Sequence, residues 1–447
     1  MEIGMLLIPD VLNFSMIWPR ISSGLPIGNR PSCGLGNGMF RLECRLRSSS
    51  GDTKKQENRL NTPVFDRPCR TSACRMAGQA DRIIRDRLGR KVLSRDKDGL
   101  GNEEEYKDTV MAEKGVICGG CWLVDVNKVI DHWPGEEGIA VIGGETLQGG
   151  GPGMNLAVNL KRLGADFPVS AVGAVGNDAH GRFILDACAR YAIDTAYMHV
   201  LAGERTSYTD VLTNQESGKR TFFHSPGANG VLSPSHFPAP LPAGSLLHLG
   251  APGIHPTMDA PWEEEPNGWV AVLKQARKQG LATNMELVSL PAERTAALVK
   301  PCLEHLDSLI INDFEAGAVA GLETVQQGQT HVEAVKQAAQ LILNMGVREM
   351  VAVHFPKGAV VAVPGREVLA MGSVALPAEE ILCSVGAGDA FASGLTFGRL
   401  QGWDLEDSVR LGHAAAAVNL RSMSTNECLP VAEECLAMVA TWGWRSM

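Results

Sequence analysis

Residues 386–394 of this chain read Gly386-Ala-Gly-Asp389-Ala-Phe-Ala-Ser-Gly394. Glycines followed by small and apolar residues predict a buried helix, whose first backbone N–H groups are free to converge on an anion. An aspartate in the first turn most often caps such a helix. Because a carboxylate beside an anion is unfavourable unless it has a proton to take, the stretch also fits a base that activates a hydroxyl for attack on a phosphoryl group.

A second glycine cluster, Gly149-Gly-Gly-Pro-Gly-Met-Asn155, precedes the helical stretch 156–163. It is similar to the glycine fingerprint of dinucleotide-binding folds, but that fingerprint requires a strand directly before it, and none is predicted here. A plain loop leading into a helix cap is an equal alternative. The pattern GxxxxGKS or GxxxxGKT of P-loop nucleotidases does not occur in the chain, which argues against that class.

From about residue 115 onward, short apolar stretches alternate with stretches of helical spacing. The predicted strands are 116–124, 169–172, 245–249, 309–311, 350–353 and 359–363, and the predicted helices are 155–163, 181–191, 269–279, 332–345, 389–400 and 405–421. This alternation predicts an α/β fold with a mainly parallel sheet covered by helices on both faces. Two stretches break the rhythm, 131–145 and 206–223, and predict β-hairpins that form a small lid.

Composition excludes several classes of partner. The chain has 447 residues, enough for one large α/β domain with extensions or for two to three ordinary domains. Aromatic residues make up only 5% and the formal net charge is -9, which argues against binding to nucleic acid, because that needs stacking platforms or a surplus of Lys and Arg. No run approaches the roughly 20 apolar residues of a membrane span, so we expect no membrane partner.

The first quarter of the chain differs from the rest. Residues 1–110 contain 19 Lys and Arg against 14 Asp and Glu, whereas the remainder contains 22 against 36. No sustained period of 2 or 3.6 runs through this segment, which predicts a poorly ordered N-terminal extension. The alternative is that the protein starts at Met111 and that the start at Met1 is assigned too early. Met111 directly precedes the strand-like stretch 115–126 and suits the beginning of a compact domain over residues 111–447.

The cysteines indicate a reducing compartment. Their number, 11, is odd and their spacing irregular, which favours free thiols and a cytoplasmic protein. The one CxxC, Cys118-Gly-Gly-Cys121, invites a redox or zinc interpretation, but it lies inside the apolar run 116–124 and lacks a second ligand pair at suitable spacing. We therefore favour buried strand cysteines.

Four motifs in order resemble the ribokinase-like, or PfkB, family of carbohydrate kinases over residues 115–440. They are Gly150-Gly-Pro-Gly-Met-Asn155, Val172-Gly-Ala-Val-Gly-Asn-Asp178-Ala-His-Gly181, Asn312-Asp-Phe-Glu315 and Gly386-Ala-Gly-Asp-Ala-Phe-Ala-Ser-Gly394. The resemblance implies a ribokinase-like three-layer α/β/α sandwich with a small β lid. It also implies an enzyme that transfers the γ-phosphate of ATP to a hydroxyl of a sugar.

The same resemblance implies roles for individual residues. Asp389 corresponds to the base that deprotonates the sugar hydroxyl, and the backbone N–H groups of Gly386, Ala387 and Gly388 correspond to the anion hole for the γ-phosphate. Asn312 and Glu315 match the NxxE motif that organises Mg²⁺, with Glu315 acting through water. The sugar contacts are matched by Asp125, Gly150, Gly151 and Asn155. Residues 413–419, which include Asn419, match the helix that borders the adenine. For Asp178, a loop-capping role and a contact with the substrate both remain open.

Two departures from the family pattern bear on its cofactors. The family often reads DTxGAGD, whereas this chain has Cys383 in place of the aspartate that is associated with a monovalent cation, which counts against potassium activation. The family's TxGxxG nucleotide loop is replaced by residues 353–358, in which only Gly358 survives. The implied partners remain a small sugar and ATP, together with a homodimer formed through the lid.

Two alternatives stay open. A nucleoside kinase similar to adenosine kinase would share these motifs and differ in an apolar pocket beneath the lid. A catalytically inactive sugar-binding regulator would keep the fold, and the altered nucleotide loop is the feature that favours it.

Overall fold

A computed structural model describes residues 114–447 of the protein; the predicted N-terminal extension over residues 1–110 lies outside them. The strands are β1 (Val116–Gly120), β2 (Leu123–Ile130), β3 (Ile142–Gly150), β4 (Val169–Gly176), β5 (Asp194–Leu201), β6 (Tyr208–Asn214), β7 (Arg220–Ser225), β8 (Leu246–Gly250), β9 (Ala282–Met285), β10 (Ser308–Asn312), β11 (Val325–Gln326), β12 (Gln329–Thr330), β13 (Met350–Phe355), β14 (Gly358–Ala362) and β15 (Leu369–Gly372). The helices are α1 (Pro152–Arg162), α2 (Ala179–Arg190), α3 (Gly227–Val231), α4 (Pro256–Asp259), α5 (Gly268–Lys278), α6 (Ala292–Val299), α7 (Asp313–Ala320), α8 (Val332–Asn344), α9 (Ala387–Leu400), α10 (Leu405–Leu420) and α11 (Ala432–Val439).

The central sheet has nine strands in the order β15-β14-β13-β10-β9-β8-β1-β4-β5. The seven strands from β13 to β5 are parallel, and β14 and β15 extend one edge in antiparallel fashion. Strands such as β1, β4 and β8 are buried along their whole length, as expected of a parallel sheet covered on both faces. The predicted α/β fold with a mainly parallel sheet is confirmed.

Helices cover both faces of this sheet. On one face, α5 and α8 pack through residues such as Trp269, Leu273 and Ile342. On the other face, α1, α9, α10 and α11 pack through residues such as Leu160 and Leu411. The result is the predicted three-layer α/β/α sandwich.

A separate four-stranded sheet, in the order β3-β2-β6-β7, forms the lid. The stretch 206–223 contains most of the antiparallel pair β6–β7, whose turn is held by Asn214 Oδ1 accepting from the backbone N–H groups of Glu216 at 3.0 Å and Ser217 at 2.9 Å. The stretch 131–145 differs from a hairpin. Its strand β3 pairs with the upstream β2, and residues 131–141 form the connection between them.

Two further local predictions were wrong. The stretch 116–124 is not one strand, because the chain leaves the central sheet after Gly120, whose φ is +95°, and enters the lid sheet at Leu123. The glycine cluster 149–155 does follow a strand directly, since β3 ends at Gly150 and α1 begins at Pro152. The first error concerns a change of sheet, which depends on contacts between segments that are distant in the sequence. The second arises because β3 continues to Gly150, beyond the predicted stretch 131–145. Within residues 114–447, no helix is both long and apolar enough to cross a membrane.

Candidate active site

A cavity of about 370 Å³ opens between the lid and the carboxyl ends of the parallel strands, the position where open α/β sheets usually bind ligands. Residues from the lid, from the strand ends and from α9 line it, and those with polar side chains are Cys121, Asp125, Asn155, Thr209, His224, Glu286, Ser289, Asn312, Glu315, His354, Asp389 and Thr425. The structure therefore brings four predicted residues with reactive or metal-binding chemistry, Asp125, Asn312, Glu315 and Asp389, to one cavity.

Asp389 lies in the first turn of α9. Gly386, three residues before Asp389, caps the helix in the left-handed conformation, with φ of +79°, which glycine adopts without strain. Because a helix leaves its first N–H groups without internal partners, those of Ala387 and Gly388 are free to bind an anion. A Cβ on Gly388 would approach His354 Cε1 at 2.9 Å, so only glycine keeps the backbone open to the cavity there.

The carboxyl group of Asp389 touches two side chains, Asn155 and Glu286. It is open to the cavity on one side and surrounded by protein on the others. This burial, followed by the negative charge of Glu286, raises the pKa of Asp389 well above its usual value. A carboxyl group with a raised pKa is suited to accept a proton near neutral pH.

Glu286 was missed by the sequence analysis. It follows the short strand β9, and burial raises its pKa to about 7. Behind it, Nε2 of the fully buried His248 lies 3.4 Å from Glu286 Oε2. Asn284 Nδ2 donates to His248 Nδ1 at 2.8 Å, and Ser308 Oγ donates to Asn284 Oδ1 at 3.0 Å. No motif marks this row, which crosses three adjacent strands; the only signal is a run of polar residues in an otherwise buried sheet.

Asp125 lies on the cavity side of lid strand β2 and accepts a hydrogen bond from the Thr209 side chain on β6. Burial, followed by the charge of Asp389, raises its pKa to about 7. A Cβ on Gly150 would overlap the Asp125 carboxylate, and one on Gly151, where φ is +86°, would lie 2.7 Å from the Cys121 carbonyl oxygen. Gly150 thus leaves room for the Asp125 carboxylate, and Gly151 leaves room for the backbone at Cys121.

Asn155 connects Asp389 to the rest of the site. It lies on α1, and its Oδ1 accepts from Asn426 Nδ2 at 2.6 Å. Asn426 also donates to the carbonyl oxygen of Gly149 at 3.0 Å. The loop after α10 therefore fixes the orientation of the Asn155 amide so that its Nδ2 faces Asp389.

Asn312 and Glu315 form a capping box at the start of α7. Glu315 N–H donates to Asn312 Oδ1 at 2.9 Å, Asn312 N–H donates to Glu315 Oε2 at 3.0 Å, and Ser289 Oγ donates to Glu315 Oε1 at 3.2 Å. Burial raises the pKa of Glu315. Because both carboxylate oxygens already accept hydrogen bonds from the protein, contact with a cation through water suits this side chain better than direct ligation.

A second cavity of about 450 Å³ adjoins the first and shares Asn312, His354 and Gly388 with it. Its walls are largely apolar, with Phe355, Val374, Leu376, Ile381, Phe391, Ala416, Ala417 and Leu420. This combination of an apolar slot and the free N–H groups of α9 fits a purine nucleotide with its phosphates at the helix terminus.

Two residues predicted to bind the nucleotide do not line this cavity. Gly358 starts β14 in a tight hairpin, where a Cβ would lie 2.6 Å from Met447 Sδ. Asn419 is fully buried and donates to the carbonyl oxygens of Ser424 at 3.1 Å and Thr425 at 3.2 Å. It therefore supports the loop against which Gly386 packs. His354 is the second residue of the segment 353–358 that replaces the family's nucleotide loop, and burial lowers its pKa to about 4.

Four further residues from the sequence analysis lie in surroundings that the structure defines. Arg220 of β7 donates to Cys383 Sγ at 3.0 Å, so a guanidinium cation occupies the surroundings of this cysteine. Asp178 caps α2 and accepts from Gly181 N–H and Thr206 N–H, each at 2.8 Å, which matches the loop-capping interpretation. Cys118 and Cys121 are buried free thiols, the first in β1 and the second just after it.

A larger cavity of about 850 Å³ lies at the amino ends of β8, β9, β10 and β13. Arg348, Arg366 and Arg399 contribute to its walls. It contains none of the residues predicted from the motifs, so cavity size alone does not locate the reaction.

Known proteins resemble this chain over most of the described region. A family model described as pfkB family carbohydrate kinase matches residues 126–432. A fructokinase of Klebsiella pneumoniae is 29% identical over 291 residues, which cover 63% of this chain and 84% of that protein. A 5-dehydro-2-deoxygluconokinase of Geobacillus thermodenitrificans is 25% identical over 330 residues, or 71% of this chain and 90% of that protein.

The fold is also that of solved structures. Arabidopsis thaliana ribokinase, determined in complex with ribose and ATP, aligns with a TM-score of 0.60 over 74% of this chain and 99% of that chain, at 21% sequence identity. The predicted ribokinase-like fold is confirmed by this match.

Proposed function

Since this chain belongs to the pfkB family of carbohydrate kinases, we propose that it transfers the γ-phosphate of ATP to a hydroxyl group of a sugar, with Asp389 as the general base. One observation carries the proposal. Asp389 lies in the first turn of α9, where the polar cavity beneath the lid meets the apolar cavity. A hydroxyl held beside Asp389 would face a phosphoryl group held by the N–H groups of Ala387 and Gly388.

The chain's own residues supply positioning, proton acceptance and charge stabilisation. Asp125, with Gly150, Gly151 and Asn155, would bind the sugar hydroxyls, and Asp389 would accept the proton of the attacking hydroxyl. The N–H groups at the start of α9 would stabilise the charge that develops on the transferred group. The lid would exclude water from the cavity, which suppresses hydrolysis of ATP.

Mg²⁺ and ATP fit the residues that are present. Asn312, which lines both cavities, and Glu315, which lines the polar one, would hold Mg²⁺ through water, and the apolar cavity would hold the adenine. When bound, Mg²⁺ neutralises charge on the phosphate oxygens. The guanidinium of Arg220 beside Cys383 supports the proposal that no potassium ion is required.

The test is Asp389→Asn, with exposed Asp186→Asn on α2 as the charge-matched control. ADP formation is measured with Mg²⁺ and ATP over ribose, fructose, ketodeoxygluconate and adenosine. We expect the wild type and Asp186→Asn to release ADP only when a sugar is present, and Asp389→Asn to bind ATP normally but lose about two to four orders of magnitude in turnover.

Other results would point elsewhere. Near-normal turnover in Asp389→Asn would refute its role as the base. Turnover of adenosine alone would support the nucleoside kinase alternative, and sugar binding without any turnover would support the inactive regulator.

A further inference from the structure

Four carboxyl groups line the polar cavity and come from four different parts of the fold. Asp125 comes from the lid, Glu286 from the end of β9, Glu315 from α7 and Asp389 from α9. Three of these residues have assigned roles in the proposed reaction, whereas Glu286 has none. Its side chain is 14% exposed, so it is largely buried yet still reaches the cavity.

A row of buried polar side chains lies behind Glu286, on the side away from the cavity. His248 Nδ1 accepts from Asn284, which leaves the proton on Nε2, the atom that faces Glu286 Oε2 at 3.4 Å. His248, Asn284 and Ser308 are register neighbours on β8, β9 and β10. This row places His248 Nε2 behind the Glu286 carboxylate, whose hydrogen-bonding partner is Asp389 on the cavity side.

Cationic side chains are missing from the same cavity. Among the described residues that line it, none is Lys or Arg. The lid cation on the cavity side, Arg220, is held by Cys383 Sγ at 3.0 Å. His224, which does line the cavity, has its pKa lowered by burial and is therefore neutral near pH 7. The described side chains that line the cavity therefore include four carboxyl groups and no Lys or Arg.

We infer that Glu286 binds the acceptor by accepting hydrogen bonds from its hydroxyl groups and that, with Asp125, it restricts the acceptor to an uncharged polyhydroxy compound. The inference rests on the proposed kinase function and deepens it by naming the substrate class. Ionised carboxylates make strong hydrogen bonds to hydroxyl groups. A carboxylate or phosphate on the acceptor would instead meet these acidic groups, and no Lys or Arg side chain of residues 114–447 lines the cavity to pair with it.

The test compares neutral and anionic acceptors. Rates are measured with ribose, fructose, gluconate, ketodeoxygluconate and fructose 6-phosphate, for the wild type, for Glu286→Gln and for exposed Glu293→Gln, which removes the same charge away from the cavity. We expect the wild type and Glu293→Gln to use neutral sugars at least about tenfold better than anionic ones. In Glu286→Gln, the neutral-to-anionic ratio of kcat/KM should fall about tenfold or more.

The neutral-to-anionic ratio of kcat/KM separates a role in substrate choice from a merely structural role, because misfolding would lower the rates with neutral and with anionic acceptors together. Preferential phosphorylation of an anionic acceptor by the wild type would overturn the inference while the kinase function stands, and this outcome does not depend on any variant folding. An unchanged ratio in a folded Glu286→Gln would overturn it as well. If no acceptor is phosphorylated by the wild type, the proposed function fails, and the inference fails with it.

Discussion

At the scale of single residues, the buried carboxyl groups make stability depend on pH. Burial holds the pKa of Asp125 at about 7 in the folded protein, against an ordinary value of 3.8. Folding therefore favours the protonated form. The stabilising contribution of this group is complete below about pH 4 and is lost as the pH rises through about 7.

The variant Asp125→Asn has no charge to bury at high pH. Relative to the wild type, its free energy of unfolding should rise by about 2 to 3 kcal/mol between pH 5 and pH 8, at about 1.4 kcal/mol for each pKa unit. Urea unfolding of both proteins without ligands measures this. Buried histidines titrate equally in both proteins and cancel. Exposed Asp186→Asn should show no such trend, and a difference that stays constant with pH would contradict the burial of Asp125.

The residues of the site differ in how visible they are in the sequence. Asp389 and Glu315 belong to compact motifs whose local structure, a helix start, carries part of their chemistry, so the pattern predicted them. Glu286 follows Ala282–Met285, a short strand with two polar residues that does not show the apolar run of a buried strand. Its partners His248 and Asp389 come from distant segments, and only the pairing of β8 with β9 and the packing of α9 bring them together.

At the scale of elements, β3 is a strand whose glycines serve different purposes. Gly150 is buried beside Asp125, and a Cβ there would overlap the carboxylate, whereas a Cβ on Gly144 in the same strand would meet nothing within 4 Å. Gly150→Ala should therefore displace Asp125 and raise the KM for the acceptor about tenfold or more, with the KM for ATP unchanged.

Gly144→Ala is the matched control for this prediction. It makes the same change of residue in the same strand and should leave both KM values as in the wild type. Steady-state kinetics with each substrate varied in turn gives the comparison. Equal acceptor KM values in the two variants would show that the contact between Gly150 and Asp125 does not position the carboxylate.

Apolar strands that remain in one sheet were predicted well, whereas the apolar run that changes sheet was not. Residues 350–353 and 359–363 lie in β13 and β14, close to their predicted bounds, because an apolar run of that length has few alternatives. The run 116–124 is equally apolar, yet it divides at Gly120, where the carbonyl of Gly250 packs against the backbone and leaves no room for a Cβ. The spacing of apolar residues in the sequence does not predict that contact with β8.

At the scale of the whole molecule, the lid carries apolar side chains that one copy of the chain leaves in water. Ile139 and Val141, in the connection between β2 and β3, are 84% and 64% exposed, and Phe223 on β7 is 52% exposed. Phe223 stacks on Trp133 of the same chain, with ring centroids 6.3 Å apart. This contact orders part of the apolar surface without a second copy of the chain. Exposed apolar surface of this kind marks association sites, and we propose that two copies pair through their lids.

The dimer is tested by sedimentation velocity over a range of concentrations. Ile139→Asp and Phe223→Asp should each weaken association about tenfold or more, because a charge buried in an apolar contact without a partner is unfavourable. Leu341→Asp provides the control: this α8 residue is 41% exposed, equally apolar, and lies on the body of the fold. Dissociation by Leu341→Asp but not by the lid variants would place the interface elsewhere, and a wild type that stays monomeric at every concentration would refute it. Since the lid strands also hold Asp125 in β2 and Thr209 in β6, loss of the dimer should raise the KM for the acceptor in parallel.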